Sequence, residues 1–361
     1  MKYPTEYPSV REYGRDTPRQ RPGRPNRKVT TTTKLRLHFW QLMQLMGVGA
    51  SIWAVVGLLL HPVETLFVIW HIVVPVIPLL LFIVPGVWRN LCPIATLSQY
   101  PRLFKLSSNQ PAPPWLTLYG GRISIALFLL LVSTRKVILD HNATALAWLL
   151  LLLGLVAIIM GVRYRGKSGW CTSLCPVHPV ERLYNQTPFI IVNDSHCQPC
   201  VGCTKQCYDA TPNTAYIVSL YTRKNERSRS AEDLKLFASL LPGFILAFYI
   251  APNPTDLSLT ELGKMYTYFL LFCLAGVGLF HLLIRLFSMM PGKVTALHGA
   301  AALNIYYWFN APILSELLPP TAEPLVVWTI RLVVATLSAV WILRSYQKEQ
   351  LFLQTRAPRT V

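Results

Sequence analysis

Six of the chain's eight cysteines lie between residues 171 and 207, in a polar window between two groups of apolar runs. Four of these six follow the spacing C-x2-C-x2-C-x3-C: Cys197, Cys200, Cys203 and Cys207. This spacing lets thiolates converge on the corners of one cuboidal iron–sulfur cluster. Gly202 adds the small, flexible residue that helps a loop to wrap such a cluster. The run therefore predicts at least one [4Fe–4S] cluster.

The same window contains a shorter motif, "CTSLCP", with Cys171 and Cys175. It supplies the C-x3-C-P half of a bacterial ferredoxin run without that run's first two cysteines. In two-cluster ferredoxins the fourth cysteine, usually followed by Pro, ligates the other cluster. Pro176 follows Cys175, whereas Tyr208 follows Cys207. The expected ligands of the main cluster are therefore Cys197, Cys200, Cys203 and Cys175.

A second cluster would use Cys171 and Cys207, and it would need two further ligands. Cys92, in the preceding polar loop, is one candidate. Cys273 lies within an apolar run and is expected to be a small buried hydrophobe. The remaining ligand would then be one of His178, His196, Asp209 or solvent. The sequence thus leaves open whether the chain holds one cluster or two.

Zinc and disulfide bonds are the alternative uses of these cysteines. Structural zinc sites take four ligands, typically from two separated C-x2-C pairs, and three cysteines spaced two apart fit that pattern poorly. Disulfides are disfavoured in a reducing cytoplasm, where the charge distribution described below places this window. An iron–sulfur site is the favoured interpretation.

The chain as a whole is too apolar for a soluble domain. It is 52% hydrophobic and 14% charged, with a mean hydropathy of +0.38, whereas soluble domains are about 25% charged. Eight apolar runs approach the roughly 20 residues that cross a bilayer: 39–60, 65–87, 122–139, 144–162, 236–251, 265–284, 295–314 and 325–343. The predicted fold is an all-α polytopic membrane protein of about eight transmembrane helices, with a small ferredoxin-like cytoplasmic loop domain.

The basic residues predict the orientation. With the N-terminus inside, 30 of the 34 Lys and Arg fall in inside segments and three in outside loops. By the positive-inside rule, both termini and the cysteine window face the cytoplasm, in an inner (cytoplasmic) or thylakoid-type membrane. The net charge of +18 therefore reflects topology, and no nucleic-acid partner is expected. The basic stretches 11–28 and 223–229 fit contacts with anionic lipids or docking of an acidic electron carrier.

This topology divides the chain into five segments. They are a disordered basic tail (1–37), a four-helix membrane region (38–162), the [4Fe–4S] loop (163–235), a second four-helix membrane region (236–343) and a cytoplasmic tail (344–361). A short repeat accompanies the division. "WRNLCPIATL" (88–97) follows the second span much as "CTSLCPVHPV" (171–180) follows the fourth, and each places Leu-Cys-Pro just inside the cytoplasmic face.

Two histidines in the later spans predict a further cofactor site. His281 and His298 lie at similar depths near the inner ends of spans six and seven. Ionisable groups within a bilayer are functional candidates by default. Two facing imidazoles could ligate a haem b axially or bind a quinone. The alternative is that they only hydrogen-bond between helices or reach to the interface.

A span that ends in "GWCTSLCPVHPVERL" and leads into the ferredoxin-type run resembles the polytopic membrane ferredoxins. These include NapH-type quinol-dehydrogenase subunits, NosR-type flavoproteins and CcoG-type oxidase-assembly proteins. The resemblance covers roughly residues 65–210. It implies that Cys171 and Cys175 match the family's C-x3-C-P motif and that the 197–207 run matches its ferredoxin motif. The chain departs from the family in having one full run, with no Pro after its last cysteine.

Three functions fit this sequence. The first is electron transfer between a cytoplasmic carrier, such as a soluble ferredoxin-like protein, and a quinone or a partner subunit. The second is assembly or maturation of another complex, in which the cluster reduces a metal or a thiol. The third is a structural iron–sulfur subunit of a respiratory or photosynthetic complex. The chain lacks the nucleophile-elbow, Walker and dinucleotide-binding motifs, so the expected activity is that of an electron-transfer subunit, with a quinone oxidoreductase component as one form.

Overall fold

The computed structural model describes residues 31–165, 169–190, 230–254, 256–316, 319 and 322–354, and its ordered elements are helices. Before residue 190 these are α1 (Thr31–Leu60), α2 (Pro62–Phe67), a π-helix (Val68–Val73), α3 (Val74–Ile83), α4 (Pro85–Leu91), α5 (Pro93–Leu97), α6 (Tyr100–Leu103), α7 (Pro114–Thr134), a second π-helix (Arg135–Leu139), α8 (Ala143–Arg163) and α9 (His178–Tyr184). From residue 230 they are α10 (Ser230–Ile250), α11 (Leu259–Leu286), α12 (Pro291–Ser315) and α13 (Glu323–Gln354).

Six helical segments in these residues are long and apolar enough to cross a membrane, which confirms the prediction of an integral membrane protein. They are His38–Leu60, Pro62–Ile83, Ala143–Arg163, Glu232–Ile250, Leu259–Leu286 and Glu323–Leu351. Each coincides with one of the eight predicted spans to within several residues. Their exposed Leu, Val, Phe and Trp side chains form the kind of surface that lipid tails cover.

The two remaining predicted spans, 122–139 and 295–314, are also helical but are not among these six segments. The first is formed by α7 and the following π-helix, and the second by α12. α12 lies inside the second group of helices, with Val294, Ala300 and Tyr307 in the main apolar core. Because protein surrounds much of this helix, it needs fewer large lipid-facing side chains than a peripheral span.

The helices extend further than the apolar runs that predicted them. α1 begins at Thr31, inside the predicted disordered tail, and α13 continues to Gln354, inside the predicted C-terminal tail. α10 begins at Ser230, within the predicted loop. The helices extend past the predicted spans because hydropathy marks the bilayer core, whereas main-chain hydrogen bonds continue a helix through polar residues of adequate propensity.

Tyrosines from α12 connect the second group of helices to an irregular part of the first. The Tyr307 hydroxyl accepts from the Leu79 amide at 3.1 Å and donates to the Pro75 carbonyl at 2.7 Å. An uninterrupted helix would pair those two groups with each other. The Tyr306 hydroxyl donates at 3.2 Å to the Val74 carbonyl, which the proline inside α3 leaves without a helical donor. These side chains satisfy main-chain groups that lipid could not.

The cations at the end of α7 have partners within the protein. Lys136 is 8% exposed, and its ammonium group donates to the Phe248 carbonyl at 2.6 Å and to the Ala251 carbonyl. Phe248 is in the last turn of α10 and Ala251 directly follows it, and carbonyls at the end of a helix have no helical donors of their own. The Arg135 guanidinium lies 2.7 Å from the Asp140 carboxylate. Both charges are therefore compatible with a position near a membrane surface.

Candidate metal centre

The described residues contain part of the predicted cluster site. Cys92, Cys171 and Cys175 are among them. The rest of the predicted donors lie outside the described residues: Cys197, Cys200, Cys203, Cys207, His196 and Asp209. Their assignment as ligands stays a prediction.

Each Leu-Cys-Pro sequence forms a corner in the chain. The Cys92 amide donates to the Trp88 carbonyl at 2.8 Å at the end of α4, and Pro93 begins α5. The Cys175 amide donates to the Trp170 carbonyl at 3.0 Å, closing a turn. Proline cannot donate an N–H and keeps the preceding residue out of the helical region. Each cysteine therefore lies where a helix or turn ends.

The two corners lie beside each other. The Ser98 hydroxyl oxygen, just after α5, is 3.9 Å from the Cys171 sulfur. Burial raises the pKa of the Cys175 thiol well above its usual range, and the nearby thiolates of Cys171 and Cys92 raise it further. The structure thus brings Cys92, the candidate ligand from the first membrane region, close to the C-x3-C-P motif.

These three thiols are a partial donor set. In the part of the chain that the structure describes, no three His, Cys, Asp or Glu side chains converge closely enough to hold a metal ion by themselves. Thiolates are soft ligands, and they suit iron–sulfur clusters. The chemistry of the donors therefore fits an iron–sulfur centre that takes its other ligands from elsewhere, such as the run at 197–207.

Helix α7 supports the second corner from one side. A Cβ atom at Gly120 would lie 2.9 Å from the Ser173 Cα atom, so glycine permits this close approach. One turn later, the Ser124 hydroxyl donates to the Cys175 carbonyl. Between them, Arg122 Nε lies 3.3 Å from a carboxylate oxygen of Asp233 in α10. Helix α7 therefore fixes the main chain at Cys175 and contacts the second membrane region.

Helix α9 supports the same corner from the other side. An ion pair joins Glu181 of α9 to Arg89 of α4, and the two side chains are 13% and 11% exposed. Burial lowers the pKa of His178 to about 3, and the charges of Arg182 and Arg89 contribute. Since a neutral imidazole is the form that binds metals, His178 has the protonation state of a ligand at physiological pH.

The end of α9 contacts the second membrane region. The Tyr184 hydroxyl donates to the Gly299 carbonyl in α12 at 3.1 Å. Its ring lies 5.6 Å from the Phe82 ring and 6.1 Å from the Trp341 ring, measured between centroids. The cysteine corner is therefore linked through one short helix to α3, α12 and α13.

The structure separates the two histidines that predicted a haem or quinone site. His298 is 3% exposed, and its ring centroid lies 5.0 Å from that of Phe280 in α11. His281, the next residue in α11, is exposed. Consecutive residues of a helix point about 100° apart, so Phe280 faces His298 and His281 points elsewhere. This arrangement does not fit axial ligation of one haem by both imidazoles.

Sequence reasoning missed the pair formed by Arg89 and Glu181 and the buried polar residues that follow α9. The pair had one usable signal. Arg89 lies three residues before Cys92 and Glu181 six residues after Cys175, so the Leu-Cys-Pro repeat places opposite charges near both corners.

Comparisons of the chain with protein-family models, with curated proteins and with solved structures gave no match.

Proposed function

We propose that this chain is a membrane-bound iron–sulfur protein that passes electrons between a cytoplasmic carrier and a quinone or a partner redox subunit. One observation carries the proposal: Cys92 and Cys171 lie near enough to Cys175 for their thiolates to raise its pKa, so the two Leu-Cys-Pro sequences lie beside each other. The complete ferredoxin-type run follows them in the chain. A bound [4Fe–4S] cluster supplies single-electron transfer.

The chain's own residues would hold and position this centre. The main cluster takes Cys197, Cys200, Cys203 and Cys175. A second cluster takes Cys171, Cys207 and Cys92, with His178 as the candidate fourth ligand. Ser124 and the Trp170 carbonyl fix the main chain of Cys175. Because these hydrogen bonds hold the main chain of the corner, its cysteines need little rearrangement to ligate.

The proposal includes eight spans with both termini and the cysteine loop in the cytoplasm. α12 has 25 residues, so at 1.5 Å per residue it is about 37 Å long and can cross the bilayer core of about 30 Å. α7 and the π-helix after it provide the third span, and their terminal cations have partners within the protein. The 30-to-3 distribution of Lys and Arg sets the orientation.

Reporter fusions test this topology. A fusion at position 225 is expected to report the cytoplasm, and a fusion at position 257 the opposite side, because α10 would cross between them. Fusions at 110 and 141, on either side of α7, give the matched pair for the proposed third span. Positions 110 and 141 on the same side of the membrane would show that α7 does not cross.

Anaerobic purification tests the cofactor. We expect iron and acid-labile sulfide in equal amounts, about four of each per cluster, with the EPR signal of a reduced [4Fe–4S] centre. The Cys200→Ala variant is expected to lose most of the iron. Cys273→Ala is the matched control, because Cys273 packs in an apolar cluster within α11. Stoichiometric zinc without sulfide would contradict the proposal.

A further inference from the structure

A short buried segment follows α9 and lies along the C-terminal part of α13. This segment, residues 185–190, is called the strap. The Thr187 hydroxyl lies 2.9 Å from that of Ser345, and Lys348 donates to the Gln186 carbonyl at 2.8 Å. The amide of the strap's last residue donates to the last carbonyl of α3 at 3.1 Å. These contacts fix the strap's main chain between the two membrane regions.

The Gln186 side chain is a polar group that the structure buries. The residue is 1% exposed, and among the described residues neither its buried amide oxygen nor its buried amide nitrogen has a hydrogen-bond partner. Buried polar groups are normally paired, and an unpaired one signals a bound water, an ion or a ligand. The main chain around Gln186 is fixed, so the amide offers one donor group and one acceptor at a defined place.

Trp341 of α13 carries a second buried polar group. It is 0% exposed, and its buried indole N–H has no hydrogen-bond partner in the part of the chain that the structure describes. Trp341 lies one helical turn before Ser345, the residue bonded to the strap. Its ring belongs to an aromatic cluster, 5.5 Å from Phe82 and 6.1 Å from Tyr184 between centroids. Aromatic walls with a few fixed polar groups are typical of ligand sites.

The Gln186 amide, the Trp341 indole and the nearby aromatic rings indicate the class of ligand that this place would bind. The indole N–H and the amide NH2 donate to carbonyl oxygens, and the amide oxygen accepts from a hydroxyl. Aromatic rings favour a flat, conjugated head group. A quinone presents two carbonyls on such a ring, and its quinol presents two hydroxyls. The surrounding spans offer lipid-facing surface along which an apolar tail can approach.

We propose that the strap and α13 form a binding site for the head group of a quinone, with Gln186 and Trp341 as its hydrogen-bonding residues. This inference rests on the proposed function, and it places the acceptor on the face of α12 where Gly299 contacts α9. His298, the neighbouring residue, faces Phe280 instead. Conversion of quinone to quinol takes two electrons, passed singly from the iron–sulfur centre, and two protons from cytoplasmic water.

The position suits electron transfer. Gln186 follows Cys175 by eleven residues, seven of which form α9. Since a helix rises 1.5 Å per residue, α9 spans only about 10 Å. A ligand at the strap would thus lie about one short helix from the cysteine corner, and electron tunnelling requires such proximity.

Binding of menadione to the full-length protein in phosphatidylcholine nanodiscs tests this inference. Menadione is expected to raise the melting temperature of the wild type, because a ligand of the folded state stabilises it. Gln186→Leu and Trp341→Phe are each expected to weaken the apparent affinity about tenfold, the effect of one lost hydrogen bond in a buried site. Matched controls are Gln41→Leu and Trp53→Phe, whose side chains are exposed on α1.

The outcomes separate this inference from the proposed function. If both Gln186→Leu and Trp341→Phe bind menadione as the wild type does, or if the wild type shows no shift, the inference is wrong and the buried amide holds water only. If one variant fails to fold, the apparent affinity of the other variant for menadione decides between these outcomes. A protein without iron or sulfide whose menadione shift is lost in the variants would overturn the proposed function and support the site.

Discussion

Replacement of Cys175 by Ala is expected to abolish the [4Fe–4S] EPR signal or to replace it with that of a three-iron cluster. Replacement of Cys207 by Ala is expected to leave the main signal largely intact. In two-cluster ferredoxins the cysteine before Pro ligates the cluster of the other run. Pro176 follows Cys175, so this cysteine is the one expected to cross to the cluster of the 197–207 run.

The structure makes this substitution a clean test. Hydrogen bonds from the Cys175 amide to the Trp170 carbonyl and from the Ser124 hydroxyl to the Cys175 carbonyl involve the main chain. Alanine at position 175 keeps both, so the variant loses the sulfur and little else. EPR of the reduced protein and iron per chain are the measurements. The opposite result, with the signal lost in Cys207→Ala and kept in Cys175→Ala, would show that the run closes on its own cluster.

The membrane helices were largely predictable from the sequence, because a bilayer imposes a length and an apolar composition that can be read locally. His38–Leu60 and Ala143–Arg163 differ from their predicted spans by at most one residue at either end. Helix α12 shows the limit of that signal. Where protein rather than lipid surrounds a helix, as at Tyr307, the apolar composition of that helix no longer predicts a membrane span.

The side-chain arrangement was less predictable, because it depends on contacts between distant parts of the chain. Tyr307 and Leu79 are 228 residues apart, and no local sequence pattern predicts that the Tyr307 hydroxyl pairs with the Leu79 main chain. The histidines illustrate a second limit. Depth in the membrane can be read from sequence, but a rotation of one residue, about 100°, decides whether His281 or Phe280 faces His298.

The proximity of the two cysteine corners was partly predictable from the sequence. Two copies of Leu-Cys-Pro at equivalent positions made Cys92 a candidate partner for Cys171 and Cys175, and the structure places these residues close together. The sequence could not supply what holds the corners together. That depends on the contact between α4 and α9, in which Arg89 pairs with Glu181 across 92 residues.

Replacement of Glu181 by Ala is therefore expected to destabilise the protein by about 3 kcal/mol, as removal of one partner from a buried ion pair does. Both side chains are at least 87% buried, with exposures of 11% for Arg89 and 13% for Glu181, so water compensates the lost contact poorly. Unfolding in mixed detergent micelles measures the effect. Glu261→Ala is the matched control: its pair with Lys264 is more exposed, at 22% and 59%, and such pairs contribute less than about 1 kcal/mol.

A variant that replaces both Arg89 and Glu181 by Leu separates two causes of lost stability. One is a buried charge left without its partner, and the other is the loss of the contact between α4 and α9. Apolar residues of similar size often replace a buried pair at little cost, so the double variant is expected to recover most of the stability. Its cysteine corner should then react with N-ethylmaleimide as slowly as in the wild type. In Glu181→Ala alone, loosening of α9 should expose Cys175 and speed its alkylation. If alkylation is unchanged while stability falls, the pair stabilises the fold without positioning the cysteines.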